Sequence, residues 1–245
     1  MKKRFLCAIL AFVMLLMPLG CKARHSVSLP DADYALTIVE EYRKDGGNSL
    51  KLMYPEVRGY ADPSAGETIN RKAAELAFEQ YRKLGRIADE DGGYVYTAME
   101  ALVLLSTVDF YCVYISGTVE SEAGGDPEFF AYILNADLKN ARFLTTEEIV
   151  KDYEKIRKSF LDGDFLPDFG TENPEENFTR QSLLDQYKSE YGIYPYVYFR
   201  EGKIGLLLET LPSLGGCVGY QADIRDMSNC LNTDDPVIAM LCGME

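Results

Sequence analysis

Residues 94–117, YVYTAMEALVLLSTVDFYCVYISG, limit the possible folds more than any other stretch of this 245-residue chain. The run is apolar and long enough to suggest a membrane helix, but Glu100 and Asp109 interrupt it. Val, Tyr and Leu dominate it, and branched and aromatic side chains suit the pleated surface of a strand. Two adjacent strands at the centre of a sheet account for it.

The flanking segments supply partners for such a sheet. TIVEEYRKDGGNSLKLMYPEVRGY alternates around Asp45-Gly46-Gly47-Asn48, which predicts a hairpin with Leu50, Leu52 and Tyr54 on one face. Ser64 and Glu67 have capping-box spacing before a helix in which Ile69, Ala73, Leu76, Ala77, Tyr81 and Leu84 recur with helical period. Thr145 and Glu148 repeat that signal before a second helix carrying Ile149, Tyr153, Ile156 and Phe160 on one stripe. A short helix is expected over 182–188, and strands over 129–135, 194–200 and 203–208. The expected class is α+β, an antiparallel sheet packed against two or three helices. It divides into a hairpin-and-helix subdomain, 34–90, and an α+β subdomain, 91–245.

At the N-terminus Lys2, Lys3 and Arg4 precede an apolar run over 5–17, and Pro18, Leu19 and Gly20 then break it. This is a secretory signal layout, since the run is too short to span a bilayer as a helix. Leu19 and Gly20 ahead of Cys21 resemble a bacterial lipobox, with Pro18 where that pattern prefers Leu. Residues 1–20 are then the signal peptide, Cys21 carries the lipid, and 21–33 form a tether; soluble secretion and an uncleaved anchor are the alternatives. Losing residues 1–20 removes three cations and no anions, which takes the formal charge from −14 to −17. Such a surface repels nucleic acid and favours cationic partners, or simply keeps the molecule soluble.

Beyond Cys7 and Cys21 four cysteines remain: Cys112, Cys217, Cys230 and Cys242. In an oxidising compartment an even number suggests two disulfides with three possible connectivities. Cys217 with Cys230 and Cys112 with Cys242 is the preferred arrangement, and free buried thiols are the alternative.

Most chemistries are poorly provided for. The one histidine, His25, lies beside the anchor, which disfavours Ser/His/Asp and Cys/His catalysis, and without CxxC spacing it also disfavours zinc. Asp162, Asp164 and Asp168 lack the Asp-x-Asp-x-Asp-Gly spacing of a calcium loop. Gly215, Gly216 and Gly219 lack the Lys-Ser/Thr of a nucleotide loop. Glu120, Glu122 and Asp126 could pair as glycosidase carboxylates, although 39 acidic residues bring pairs together by chance. No metal or other cofactor is expected. Aromatic residues point to binding: Tyr194, Tyr196 and Tyr198 alternate and so share one strand face, either a platform for a sugar or protein, or core.

One segment carries a resemblance. GGDPEFFAYILNADLKNARFLTTEEIV, with Gly124, Gly125, Asn135, Asp137, Leu138, Lys139, Leu144 and Thr145, resembles a signature of extracytoplasmic domains. YPEVRGY with Ile69 and Asn70, and YVYFREGKIGLLLE with GGCVGYQADI, resemble the companion segments, so the likeness covers most of residues 35–231. The family is the domain pair of unknown function found in RsiV-like anti-sigma factor ectodomains, which bind lysozyme, and in the noncatalytic part of peptidoglycan deacetylases. Its members usually have Ala-His where this chain has Asp126-Pro127. The resemblance implies the fold and an extracytoplasmic location.

The expected function is that of an exported, lipid-anchored, noncatalytic module of the cell envelope. It binds a cationic envelope protein such as a lysozyme, or a peptidoglycan-related glycan, through the acidic surface around Asp162 to Glu176, with Asp162, Asp164, Asp168 and Glu172, or through the tyrosine face. The alternatives are a carboxylate-dependent glycan hydrolase and a structural lipoprotein without a soluble ligand.

Overall fold

The computed structural model describes residues 22–27, 34–85, 92–170, 173–185, 195–210 and 216–244. The class is α+β, but the strands form two sheets rather than one. The larger has seven strands in sequence order: β1 (Lys22–Val27), β2 (Ala35–Asp45), β3 (Asn48–Arg58), β4 (Tyr94–Ser106), β5 (Phe110–Ser121), β6 (Glu128–Asp137) and β7 (Arg142–Leu144). The smaller has the order β8-β11-β10-β9, from β8 (Leu166–Gly170), β9 (Tyr196–Arg200), β10 (Lys203–Glu209) and β11 (Cys217–Asp223).

The run over 94–117 is indeed two antiparallel strands, β4 and β5. Strand β5 is buried on both faces: Tyr111, Val113 and Ile115 belong to one core cluster, Phe110, Cys112 and Tyr114 to the other. The hairpin forms as its turn residues predict, with Asp45 opposite Asn48 and Gly46 at φ 59, a left-handed conformation that glycine adopts without strain. Segment 22–27, expected as tether, pairs with β2 as an edge strand.

Helix α1 (Pro63–Lys83) packs its Ile69, Ala73, Ala77 and Tyr81 stripe into the first cluster. Its cap is not the Ser64/Glu67 box. Asp62 accepts from the N–H groups of Ser64 and Ala65, with Pro63 already at the first helical position. Pairing between β3 and β4 is parallel and covers only Ser49–Lys51 against Val95–Thr97. Beyond it the strands part, and side chains take up the freed backbone groups. Asn70 of α1 accepts from Val57 N–H at 2.7 Å and donates to Val57 C=O at 2.9 Å, and the Tyr132 hydroxyl donates to Met53 C=O at 3.4 Å. Residue 55 of β3 faces the same side as 53 and 57, and it is Pro55, which has no N–H to leave unpaired.

The second expected helix is two. Thr145 and Glu148 form their capping box on α2 (Thr146–Ile149), but Val150 leaves the helix to bridge Leu231. Lys151 and Asp152 donate their N–H groups to Cys230 C=O, and Asp152 then caps α3 (Tyr153–Asp162). After β8 come α4 (Pro174–Asn177) and α5 (Arg180–Leu184), the latter in place of the helix expected over 182–188; residues 186–194 lie outside the described ones. Two short helices, α6 (Ile224–Met227) and α7 (Pro236–Leu241), follow β11. The boundary at 90/91 falls between β3 and β4, strands of one sheet.

The smaller sheet meets the larger through its edge strand β9. Among the described residues the outward backbone groups of β9 have no strand partner, and side chains of the larger sheet and α2 receive them. Asn135 Nδ2 donates to Val197 C=O at 2.7 Å, Thr146 Oγ1 donates to Pro195 C=O at 3.0 Å, and Phe199 N–H approaches Cys112 Sγ at 3.4 Å. A buried edge treated in this way satisfies its polar groups and offers no template to another chain.

Candidate functional site: an acidic cleft beside the smaller sheet

The acidic segment is shaped by what its apolar residues bury. Helix α3 ends at Gly163, whose φ of 97 reverses the chain; Phe160 and Phe165 then pack at 6.1 Å between ring centroids. Asp162 and Asp164, on either side of that turn, are left exposed. Arg180 fastens the segment from beneath. Its guanidinium donates to the carbonyls of Phe160 and Phe165, both at 2.8 Å, pairs with Glu175 at 2.8 Å and lies over the rings of Phe160 and Tyr220.

Asp168 has a different fate. Its carboxylate, only 10% exposed, accepts from Tyr198 Oη at 3.0 Å and pairs with Arg200 Nε at 2.8 Å. It is tied into the protein rather than offered to a ligand. A cleft of 530 Å³ opens between β8 and α4, lined by Pro167, Asp168, Phe169 and Gly170 on one side and by Asn173, Pro174, Glu175 and Glu176 on the other. Of the four carboxylates singled out from sequence, Asp168 lines it, Asp162 and Asp164 do not, and Glu172 lies outside the described residues. Glu175 and Glu176 lie within the acidic stretch read from the sequence, Asp162 to Glu176, whereas Phe169, Arg180 and Arg200 were missed. The sequence held a signal for Arg200 alone, since it continues the alternation of Tyr196 and Tyr198 along β9.

Within the tyrosine face, only Tyr198 among the described residues belongs to the core. Tyr198 is fully buried, with its ring lying over Gly205 so closely that a Cβ there would stand 2.0 Å from Cζ. Burial, then the Asp168 carboxylate, holds its hydroxyl protonated well above the usual phenol range. Tyr196 is half-buried and donates to Gln80 Oε1 at 3.3 Å, and Tyr194 lies outside the described residues. A stacking platform built on Tyr198 is therefore ruled out.

The cysteines correct another expectation. Cys112, Cys217, Cys230 and Cys242 form no disulfide, are all buried and all belong to one core cluster. Each fills space as a small apolar side chain with local polar contacts: Cys217 with the Tyr114 hydroxyl at 3.2 Å, Cys230 with Asn229 Oδ1 at 2.9 Å. Burial pushes the Cys112 thiol up to about 12 and the Cys217 thiol to about 11.

Residues that carry the sequence signature do structural work. Asp137, fully buried, accepts from Asn140 N–H at 3.0 Å, Asn140 Nδ2 at 2.8 Å and Arg142 Nε at 3.0 Å, which fixes the β6–β7 turn. Leu138 and Leu144 are buried, and Thr145 is the α2 cap. Lys139 is exposed. Glu120 accepts from Thr118 and Glu122 from Gly93 N–H, both at 3.4 Å. A larger cleft of 760 Å³, beside the β2–β3 turn, exposes Tyr42 and Lys44, while its Lys51 is paired with Glu40 at 3.1 Å and its Arg43 with Glu41. Among the described residues no group of three or more His, Cys, Asp or Glu is placed to hold a metal ion.

No protein-family model matches the chain, and no curated protein does. Several solved structures resemble it, among them two from one family. One is a crystal structure of a member of the DUF3298 family from Bacteroides fragilis, 16% identical, with a TM-score of 0.51 over 92% of this chain and 99% of that one. The other is a DUF3298 family protein from Pseudomonas aeruginosa, 10% identical, with a TM-score of 0.45 over 88% of this chain and 95% of that one. The chain is thus similar in fold, along nearly its whole length, to a domain of unknown function.

Proposed function

We propose that the chain is a noncatalytic binding module of the cell envelope, held to a membrane by a lipid on Cys21, and that it recognises a cationic envelope protein of lysozyme-like charge. The observation that carries this reading is the cleft between β8 and α4. Pro167, Phe169 and Pro174 contribute apolar surface to its lining, and beside them stand the exposed Glu176 and Glu175, the latter already paired with Arg180. A lysine or arginine can lay its aliphatic stem along those side chains and bring its charged head to Glu176. The net charge of −17 that follows loss of residues 1–20 adds long-range attraction for a basic partner, and the sequence resemblance to lysozyme-binding ectodomains points the same way.

The test is titration with lysozyme at low and high salt, using the wild-type chain and a Glu175→Lys/Glu176→Lys double variant. Binding at low ionic strength, weakened by salt and by about tenfold or more in the variant, is expected. No binding at low salt sinks the proposal. A parallel incubation with purified peptidoglycan separates binding from turnover, because soluble sugar products would identify a hydrolase instead.

A further inference from the structure

A second cleft, also of 530 Å³, opens where α1, the β6–β7 edge and β9 meet, far from the acidic segment in sequence and independent of the reading above. Its volume lies within the range of about 300–1,000 Å³ common to small-ligand sites. Leu76, Phe143 and Val197 make its walls apolar. Asn135 stands among the lining residues, 4% exposed. Its amide is oriented by the bond from Nδ2 to Val197 C=O, and its Oδ1 is buried with no hydrogen-bond partner among the described residues. An amide oxygen left in that condition costs free energy, which a donor from a bound molecule recovers. The rim carries opposite charges: the Lys83 ammonium from the last turn of α1, and the Glu147 carboxylate from the first turn of α2, both exposed; Glu209, at the end of β10, also lines the cleft but is already engaged within the protein.

We propose that this cleft binds a short peptide with free ends. A backbone N–H of the peptide meets Asn135 Oδ1, the peptide ammonium meets Glu147, its carboxylate meets Lys83, and an apolar side chain lies against Leu76 and Phe143. A neutral sugar would use neither rim charge, and a simple anion or cation would use only one. A zwitterion with an internal amide uses both and the buried oxygen as well.

The experiment is calorimetric titration of the full chain with an equimolar mixture of random tripeptides bearing free termini, and with the same mixture N-acetylated or C-amidated. Saturable binding of the free-ended mixture is expected, with either blocking group weakening it about tenfold, the worth of one lost charged contact. Glu147→Gln should erase the difference between free and acetylated mixtures, and Lys83→Ala the difference between free and amidated ones. Both residues are exposed, so neither variant threatens the fold. Absence of saturable binding at millimolar mixture overturns the proposal, and so does binding that is unchanged in both variants.

Discussion

Two places in this molecule face the same difficulty, a strand edge in the interior with no neighbouring strand, and they solve it differently. At β3, beyond Lys51, one asparagine does most of the work: Asn70 takes both the N–H and the C=O of Val57, and Pro55 removes the next donor altogether. At β9 the work is shared among Asn135, Thr146 and Cys112, one backbone group apiece or two. A bidentate side chain on a long helix concentrates the stabilisation in one residue. Three side chains on three elements spread it, and leave one of them, Asn135, with an unused oxygen. The concentrated solution is the more fragile.

That contrast can be broken by measurement. Asn70→Ala leaves two backbone groups unpaired at once and should cost about 2–4 kcal/mol in urea unfolding. A loss under about 1 kcal/mol would mean that water replaces the side chain and that the β3 opening is not held by it. Asn135→Ala orphans only Val197 C=O and at the same time removes its own unpartnered oxygen, so the loss should be smaller, about 1–2 kcal/mol. If it equals or exceeds the Asn70 loss, the comparison fails. Thr146→Val keeps the shape but removes the bond to Pro195 C=O and the longer one, 3.4 Å, accepted from Val197 N–H, and should cost about 1 kcal/mol, with the double variant losing less than the sum of the Asn135 and Thr146 losses because both hold the same strand.

The smallest effect concerns the third β9 contact. With its thiol pushed up to about 12, Cys112 has almost no thiolate at neutral pH, and burial removes access as well. The native chain should therefore resist alkylation at Cys112, Cys217, Cys230 and Cys242, whereas denaturation without reductant should expose all four, read by intact mass. Failure of any of them to label in denaturant would show a disulfide instead.

Local chemistry was legible. The hairpin turn over 45–48, the α1 stripe, the Thr145/Glu148 capping box and the two strands of the central apolar run depend on residues a few positions apart, and each formed as its pattern required. The misplaced α1 cap shows the limit even there, since Asp62 before Pro63 competed with Ser64 for one helix start and pattern spacing does not rank the two. The candidate site was legible only in part. Its acidic character could be read, but which carboxylate turns inward depends on Arg200 and Tyr198, 30 or more positions away from Asp168.

By itself, then, the sequence determined the α+β class, most of the elements and the charge, because composition and short-range periodicity govern these. Only the tertiary structure decided that the strands divide into two sheets, that Val150 breaks a helix to bridge Leu231, that Tyr198 is core, and that the four cysteines are buried thiols rather than disulfides. Each of those outcomes rests on a partner distant in the chain, and buried polar groups and close packing select such partners only once the elements have met.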